Sequence, residues 1–245
     1  MPSPRLITIS AAGKGERMRE EIKELGFPED TPKPLLPTGT GETLIGRIAR
    51  QAMEIAHVEV YANYDTIRPI GESPDLPRNV SLLVNRNIYG PLGPLYLDIF
   101  RTQEQSLMAA GDFWANFRWS DFLDFHNSQE TPVSILVAPS VPTTGGARFK
   151  VDDNGVVGAW ERVDRTTPQD LINIGAYIVD PEKLVLRKIR DLATHKEDPF
   201  NDTMIAGGLM SAYVLDEPAY NVNNVEIYRA MIEHTRTTQG VPLPA

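Results

Sequence analysis

The chain has 245 residues, of which 41% are hydrophobic and 23% are charged, and this composition is typical of a globular protein with a sizeable core. Its net charge of −9 argues against broad binding to nucleic acid, which needs basic patches, and the lack of cysteine excludes disulfides and thiolate metal sites. No apolar run approaches the ~20 residues of a membrane span, and the N-terminus does not read as a secretory signal, so we expect a cytoplasmic protein that binds no membrane.

Short apolar runs that alternate with helical patterns predict an α/β fold with a mainly parallel sheet covered on both faces. The strands are expected at residues 6–10, 58–62, 80–84, 107–110 and 133–138. The helices are expected at residues 42–56, 122–127, 181–192 and 224–234, with Asp121 as the cap of the second.

After residue 140 the pattern becomes richer in strands. Residues 148–151 and 156–161 are strand-like, and the turn residues DDNG at 152–155 between them predict a hairpin. A further strand is expected at 173–179. The sequence therefore predicts a single domain over residues 1–245, with an α/β half at 1–140 and a β-richer half at 141–245.

A glycine-rich loop follows the first strand, where residues 11–18 read AAGKGERM. Small residues let the backbone approach a ligand closely, and exposed N–H groups can bind phosphate oxygens. The dinucleotide pattern G-x-G-x-x-G is not met, because Met18 occupies the third glycine position, and the phosphate-loop pattern G-x-x-x-x-G-K-[ST] is not met either. Alone, the loop only indicates that an anion could bind.

A second segment, PKPLLP at residues 32–37, places Lys33 between two prolines. The prolines are expected to hold Lys33 in extended backbone. Taken alone, such a segment is more typical of a stiff surface loop than of a catalytic site.

Together, the loop and the PKPLLP run resemble the signature of the sugar-phosphate nucleotidyltransferases, the pyrophosphorylases that make nucleotide sugars. Further motifs that resemble those of this family follow in the same order. They are GPLGPL at residues 90–95, MAAGD at 108–112, ER at 161–162, NIGAY at 173–177 and NVNN at 221–224. The resemblance covers almost the whole chain and implies a Rossmann-like nucleotidyltransferase fold.

The resemblance also implies a role for each segment. The catalytic residues would be Arg17, Lys33 and Asp112. The nucleotide would be bound by Ala11, Ala12, Gly13, Lys14, Gly15, Gly90 and Gly93. The phosphorylated substrate would be bound by Gly146, Glu161, Arg162, Asn173 and Gly175. Mg²⁺ would be held by Asp112 together with Asn221 or Asn223.

Three positions depart from the family pattern. The second metal position is usually aspartate, whereas here it is Asn221 or Asn223, whose amide oxygen can bind a hard cation but carries no charge. Arg162 stands where lysine is common, which keeps the charge. Pro91 and Leu92 stand where Thr-Ala is common in the segment that approaches the base, so the identity of the base is left open.

The activity implied by the resemblance is transfer of a nucleoside monophosphate from a nucleoside triphosphate to a sugar 1-phosphate, with release of pyrophosphate. Residues 1–140 would then bind the nucleotide and residues 141–245 the sugar phosphate. Three alternatives stay open: a cytidylyltransferase acting on a non-sugar phosphate such as phosphocholine or on a phosphonate, a glycosyltransferase on a related fold, and a non-catalytic nucleotide-sugar-binding protein. The sequence does not determine the base, the sugar, or whether the chain forms a homo-oligomer.

Overall fold

A computed structural model describes residues 6–13, 18–84, 92–102, 104–184 and 197–239, with only the backbone described at 100, 102, 144–146, 197, 198 and 239. The strands are β1 (Leu6–Ala11), β2 (His57–Ala62), β3 (Ser81–Val84), β4 (Ser106–Ala110), β5 (Phe113–Trp114), β6 (Val133–Pro139), β7 (Thr144–Val151), β8 (Val157–Arg165), β9 (Leu171–Val179), β10 (Met210–Val214) and β11 (Tyr220–Asn221). The helices are α1 (Arg19–Glu24), α2 (Leu44–Ala52), α3 (Tyr64–Gly71), α4 (Gly93–Thr102), α5 (Trp119–Ser128), α6 (Glu197–Ala206) and α7 (Val225–Gln239).

The central sheet is mixed but mostly parallel, as the alternation of apolar runs and helical patterns predicts. Its strand order is β10-β6-β9-β4-β1-β2-β3. Only β9 runs antiparallel to its neighbours β4 and β6, and the other neighbouring pairs in this order are parallel. The carboxyl ends of β1, β2, β3, β4, β6 and β10 therefore meet at one edge, where β9 begins. Ligands of open α/β sheets bind at this edge.

Side chains that alternate along the strands fill a core on each face of the sheet. One core contains Ile7 and Ile9 of β1 and is covered by α2 and α5, and the other contains Met108 of β4 and Tyr177 of β9 and is covered by α4 and α6. A third cluster, beside the carboxyl edge, joins α1, β5, β11 and α7. Among the described residues, no helix is both long enough and apolar enough to cross a membrane.

The predicted hairpin is confirmed as β7 and β8. In its turn, the Asp152 carboxylate accepts hydrogen bonds from the N–H groups of Asn154 (2.9 Å) and Val156 (2.8 Å), and Gly155 takes a φ of +80°. Because β7 also pairs with β9, the hairpin is attached to the central sheet. β9 and β10 from the second predicted half thus lie in the same sheet as strands of the first, while the assignment of nucleotide and sugar phosphate to the two halves stays a prediction.

The cap of α5 is predicted wrongly. The helix begins at Trp119 after Arg118, and Asp121 lies in its first turn, where it forms a 2.9 Å ion pair with Arg118. The reason is the burial of the Trp119 ring, which lies 4.8 Å from the ring of Phe117 and extends the apolar face of the helix towards its N-terminus. The helix expected at 181–192 lies mostly outside the described residues, since only 181–184 are described and they form a turn.

Four helices have no counterpart in the prediction from sequence: α1, α3, α4 and α6. Pro69 lies inside α3, and Gly93 and Pro94 begin α4, so the local sequence favours a turn or break in both places. Tertiary packing outweighs that preference, because Ile70 of α3 and Leu95 of α4 are fully buried in the two cores.

Candidate nucleotide and metal site

Lys33 lies in a short 3₁₀ turn, Lys33–Leu35, rather than in extended backbone. The backbone is extended at Pro32 on one side and at Leu36 on the other. Between them, Leu35 N–H donates to the Pro32 carbonyl (2.8 Å) and Leu36 N–H donates to the Lys33 carbonyl (3.0 Å). Burial of Pro34 and Leu36 holds this turn against the protein, so the prediction of an extended Lys33 is wrong, and the side chain is directed by the turn.

The Lys33 ammonium contacts two segments that are far away in the sequence. Its Nζ donates to Asp112 Oδ2 at 2.6 Å and to the Val222 carbonyl at 3.2 Å. The side chains of Lys33 and Asp112 are 17% and 23% exposed, so the pair is partly shielded but open to solvent. The structure therefore brings together two of the three predicted catalytic residues.

Asp112 reaches this position because the end of β4 lies against the end of its parallel neighbour β1. Gly111 N–H donates to the Ser10 carbonyl at 2.8 Å, and a Cβ at Gly111 would lie 3.1 Å from that oxygen, so this close approach favours glycine. The Asp112 carbonyl then accepts a hydrogen bond from Val222 N–H at 2.9 Å. Backbone pairing thus sets Asp112 beside Val222. Val222 lies inside the NVNN motif, but its backbone carbonyl is not among the site groups predicted from the sequence.

The two candidate asparagines flank Val222. Asn221 pairs with Phe113 in the short β5–β11 ladder and is half-buried, whereas Asn223 is exposed. Asn224 is already used as the cap of α7, since its Oδ1 accepts from Ile227 N–H at 2.9 Å. Both predicted metal ligands therefore lie next to the backbone that contacts Asp112, and the choice between them stays open.

The donor set fits Mg²⁺ only if a substrate supplies further oxygens. Within the described ranges, no group of three or more His, Cys, Asp or Glu side chains is placed to hold a metal. Mg²⁺ is commonly bound by one or two carboxylates together with water and substrate phosphates. Asp112 supplies one carboxylate, the smallest number in this range, and Asn221 or Asn223 would add one neutral amide oxygen.

The first residues of the glycine-rich loop lie at the end of β1. Ala11 ends the strand, Ala12 is half-buried, and Gly13 is exposed. A Cβ at Gly13 would meet no atom within 4 Å, so open space adjoins this backbone. The remaining predicted loop residues Lys14, Gly15 and Arg17 lie outside the described residues, as does Gly90.

Comparisons with known proteins identify the fold and not the family. No protein-family model matches the chain, and no curated protein sequence matches it. Solved structures do match, 405 chains in all. The crystal structure of HddC from Yersinia pseudotuberculosis is 15% identical to the chain, has a TM-score of 0.65, and aligns over 95% of this chain and 100% of its own.

The chain has a Rossmann-like nucleotidyltransferase fold. At 15% identity the likeness extends to the fold alone, because folds of this kind host different chemistries. Asn173 and Gly175 lie in the first half of β9, towards the edge at which β4 ends. Asn173 Oδ1 accepts from Gly175 N–H at 2.8 Å, and its Nδ2 donates to the Tyr177 hydroxyl.

Gly175 has a φ of +90°, and a Cβ there would lie 2.7 Å from Cβ of Ala110 at the end of β4. Close approach of these two strands requires glycine at this position. Because Ala110 is two residues before Asp112, the contact places Asn173 and Gly175 at the same edge as the Lys33–Asp112 pair. Gly93 instead begins α4, next to Leu92, which is buried in the core.

The remaining substrate-binding candidates lie on the hairpin, and the structure separates them. Glu161 faces Arg148, which it pairs with in register and by a 2.8 Å ion pair, and the Arg148 guanidinium lowers the pKa of the Glu161 carboxyl. The Arg162 guanidinium lies over the Trp160 ring, 5.6 Å from its centroid. Since consecutive strand residues point to opposite faces, Glu161 and Arg162 do not face the same space.

Strand register shows which of the two shares a face with β9. Trp160 is paired with Phe149, and Phe149 is paired with Leu171. Leu171, Asn173 and Gly175 are alternate residues of β9 and share one face. Trp160 lies on this face through Phe149, and Arg162, two residues after Trp160, lies on it as well, whereas Glu161 lies on the other face. Gly146 is paired with Val163 and therefore belongs to the Glu161 face of the hairpin.

Proposed function

We propose that this chain is a nucleotidyltransferase that transfers a nucleoside monophosphate from a nucleoside triphosphate to a sugar 1-phosphate and releases pyrophosphate. The observation that supports this most is the contact of Lys33 with both Asp112 and the Val222 carbonyl. This contact brings together a cation and a carboxylate, with amide side chains next to them, at the carboxyl edge of a mostly parallel sheet. Gly13, at which open space adjoins the backbone, lies at the same edge.

The chemistry requires no general base, because the attacking phosphate oxygen is already ionised. That oxygen forms a bond to the α-phosphorus, the bond from the α-phosphorus to the bridging oxygen breaks, and the electron pair leaves with pyrophosphate. Catalysis then consists of positioning and of offsetting the charge of two anions that approach each other.

Lys33 can supply that charge. An ammonium has three N–H donors, and the described contacts with Asp112 and Val222 use two of them. The third is left to donate to a phosphate oxygen at the open side of the pair. In this arrangement Asp112 and Val222 orient the ammonium, and Lys33 stabilises the α-phosphate as negative charge accumulates in the transition state.

Asp112 with Asn221 or Asn223 would hold Mg²⁺, which supplies neutralising charge between phosphate groups. The backbone N–H groups of Ala12 and Gly13 would bind the outer phosphates, and the resemblance extends this role to Lys14, Gly15 and Arg17. Those residues carry the β- and γ-phosphates and the departing pyrophosphate in the proposal.

For the second substrate, the proposal relies on Asn173, Gly175 and Arg162, which share one face of the sheet. Arg162 is the cation on that face that would hold the incoming phosphate. Glu161 is assigned by the resemblance alone, and its place on the opposite face, bound to Arg148, makes it the weakest member of the predicted set.

A second candidate function is a non-catalytic nucleotide binder. The observation that favours it is the presence of asparagine at both predicted positions for the second metal ligand, which leaves Asp112 as the one carboxylate of the predicted metal site. Such a protein would keep Lys33 and the loop for binding but would hold Mg²⁺ too weakly for turnover.

Release of pyrophosphate tests the proposal directly. The purified chain is assayed with Mg²⁺ and each common nucleoside triphosphate, against a panel of sugar 1-phosphates, phosphocholine and a phosphonate, with the Lys33→Ala variant as the matched control. Release that needs both a triphosphate and a sugar 1-phosphate supports it, and release with phosphocholine or the phosphonate alone replaces the sugar by a non-sugar acceptor. Thermal stabilisation by triphosphate without release supports the binder, and the absence of both effects rejects a nucleotide function.

A further inference from the structure

Asn63 connects the end of β2 to the glycine-rich loop. It is the cap of α3, and its side-chain Oδ1 accepts from the N–H groups of Asp65 and Thr66, both at 2.9 Å. Its side-chain Nδ2 donates in the other direction, to the carbonyl of Ala12 at 3.1 Å. A single amide side chain therefore serves a helix cap and the loop at the same time.

Thr66 repeats this connection one residue earlier in the loop. Its hydroxyl accepts from Asn63 N–H at 3.2 Å, which completes a capping box, and it donates to the Ala11 carbonyl at 3.4 Å. Thr66 is only 8% exposed. Both polar side chains of the box thus donate to consecutive carbonyls at the end of β1.

Fixing a carbonyl also fixes the N–H group of the next residue. In a trans peptide the C=O and the following N–H point in opposite directions. A bond from Asn63 to the Ala12 carbonyl therefore turns the Gly13 N–H away from α3, and the bond from Thr66 to Ala11 does the same for the Ala12 N–H. A Cβ at Gly13 would meet no atom within 4 Å, so open space adjoins this residue.

We propose that Asn63 is a positioning residue that holds the N–H group of Gly13 in the orientation that binds a phosphate of a nucleoside triphosphate, next to the Ala12 N–H group that Thr66 orients. The inference rests on the proposed function, since it assigns the ligand of these groups from that function. Asn63 itself does not contact the nucleotide and acts through the Ala12 carbonyl. The orientation exists before the ligand arrives, so binding does not have to order this part of the loop.

The two roles of Asn63 can be separated by substitution. Serine is a good helix cap, because its hydroxyl accepts from the N–H groups of the first turn, but its side chain is shorter than that of asparagine and does not extend to Ala12. Asn63→Ser therefore keeps the cap and removes the bond to the loop. Asp65→Ala is the matched control, because Asp65 is an exposed residue of the same helical turn with no role in either bond except through its backbone.

The experiment measures three quantities on the full chain: amide hydrogen exchange of α3, the melting temperature, and steady-state kinetics of pyrophosphate release. For Asn63→Ser we expect unchanged protection of α3 and a rise of about tenfold in KM for the triphosphate, the size expected for one hydrogen bond. We expect kcat at saturating triphosphate to stay within about threefold, because oriented N–H groups act in the ground state as well as in the transition state. Asp65→Ala should match the wild type in all three.

An unchanged KM overturns the inference. So does a rise in KM that is accompanied by loss of α3 protection, because Asn63 would then act only as a cap. Failure of the proposed function is separate, since it is seen in the wild type as a lack of triphosphate binding. In that case the assignment of a triphosphate as the ligand of these N–H groups is rejected.

Discussion

Lys33 and Asp112 are 79 positions apart in the sequence and lie 2.6 Å apart through Nζ and Oδ2. Their partner Val222 is 189 positions from Lys33. One ammonium thus links the 3₁₀ turn after α1, the end of β4, and the turn before α7. These contacts place the Lys33 ammonium at the carboxyl edge of the sheet, where a catalytic role is proposed for it.

Removing the ammonium should damage the chemical step more than triphosphate binding, because the charge that Lys33 offsets is largest in the transition state. We expect Lys33→Ala to lower kcat by on the order of 10²–10³, the size seen for loss of one preorganised donor, with a modest change in KM. Lys33→Arg should restore only part of the rate, since a planar guanidinium differs in shape from an ammonium. Steady-state kinetics on folded variants measure both, and a kcat within about twofold of the wild type for Lys33→Ala would remove Lys33 from the mechanism.

Loss of the Asp112 carboxylate should abolish turnover that depends on Mg²⁺ while the chain remains folded. The side chains of the pair that it forms with Lys33 are 17% and 23% exposed, so water can reach the Lys33 ammonium once the carboxylate is removed, and the ammonium keeps the Val222 carbonyl as an acceptor. We therefore expect Asp112→Ala to melt within a few degrees of the wild type. Activity and melting temperature are measured together across a Mg²⁺ titration, with Asp112→Asn as the control that keeps the size of the side chain. Turnover near the wild-type rate in both variants would place the metal elsewhere.

Adding a methyl group at Gly175 should destabilise the fold. The φ of +90° is unfavourable for a side chain, and the new Cβ would lie 2.7 Å from Cβ of Ala110. Backbone strain and overpacking together suggest a cost of about 2–4 kcal/mol. Chemical denaturation of Gly175→Ala measures this cost.

The matched control for Gly175→Ala is Gly158→Ala on β8, where a Cβ would meet no atom within 4 Å. Adding Ala110→Gly to Gly175→Ala should recover the part of the loss that comes from the Cβ contact and leave the part that comes from φ. A Gly175→Ala protein as stable as the Gly158→Ala protein would contradict the close approach of β4 and β9.

The buried His126 should make the protein less stable in mild acid. Burial, aided by the charge of Lys183, lowers the pKa of His126 from its ordinary value of 6.5 to about 4. Below pH 6.5 the His126 imidazole is protonated in the unfolded chain, whereas in the folded chain it becomes protonated only near pH 4. The free energy of unfolding should therefore fall as the pH is lowered through this window, by up to about 3 kcal/mol from this one residue.

Denaturant titrations at pH 7.5 and at pH 4.5 measure this dependence. In His126→Gln the free energy of unfolding should change less between the two pH values than it does in the wild type. The comparison at pH 7.5, where His126 is neutral in both the folded and the unfolded chain, controls for the lost packing and for the lost 2.8 Å hydrogen bond between the imidazole and the Ser134 hydroxyl. If the free energy of unfolding changes equally in the two proteins, groups other than His126 cause the loss of stability in acid.

The fold could be predicted from the sequence to the extent that it depends on local patterns. Apolar runs predict most of the central strands, and DDNG at 152–155 predicts the hairpin turn, because each signal lies within a few residues of the structure that it specifies. Where packing outweighs local preference the prediction fails, as at α4, whose first residues Gly93 and Pro94 favour a turn while Leu95 is fully buried.

The candidate site was predicted in part. Lys33 and Asp112 were singled out by the motifs that contain them, and their contact confirms that the two residues are neighbours. The common role expected for Glu161 and Arg162 came from the family resemblance, and the strand predicted there ends at 161. In the structure β8 continues to Arg165, and a continuous strand sends the two side chains to opposite faces.

The sequence by itself determined the class of fold, the order of its motifs and the residues with suitable chemistry, because composition and periodicity are properties of short segments. Only the tertiary structure decided which of these residues meet. The bond from Lys33 to Asp112 spans 79 positions and the bond from Asn63 to Ala12 spans 51, and such contacts exist only once the strands have taken their places in the sheet. Strand order and register bring the ends of β1, β2 and β4 to one edge, and no local pattern encodes that meeting.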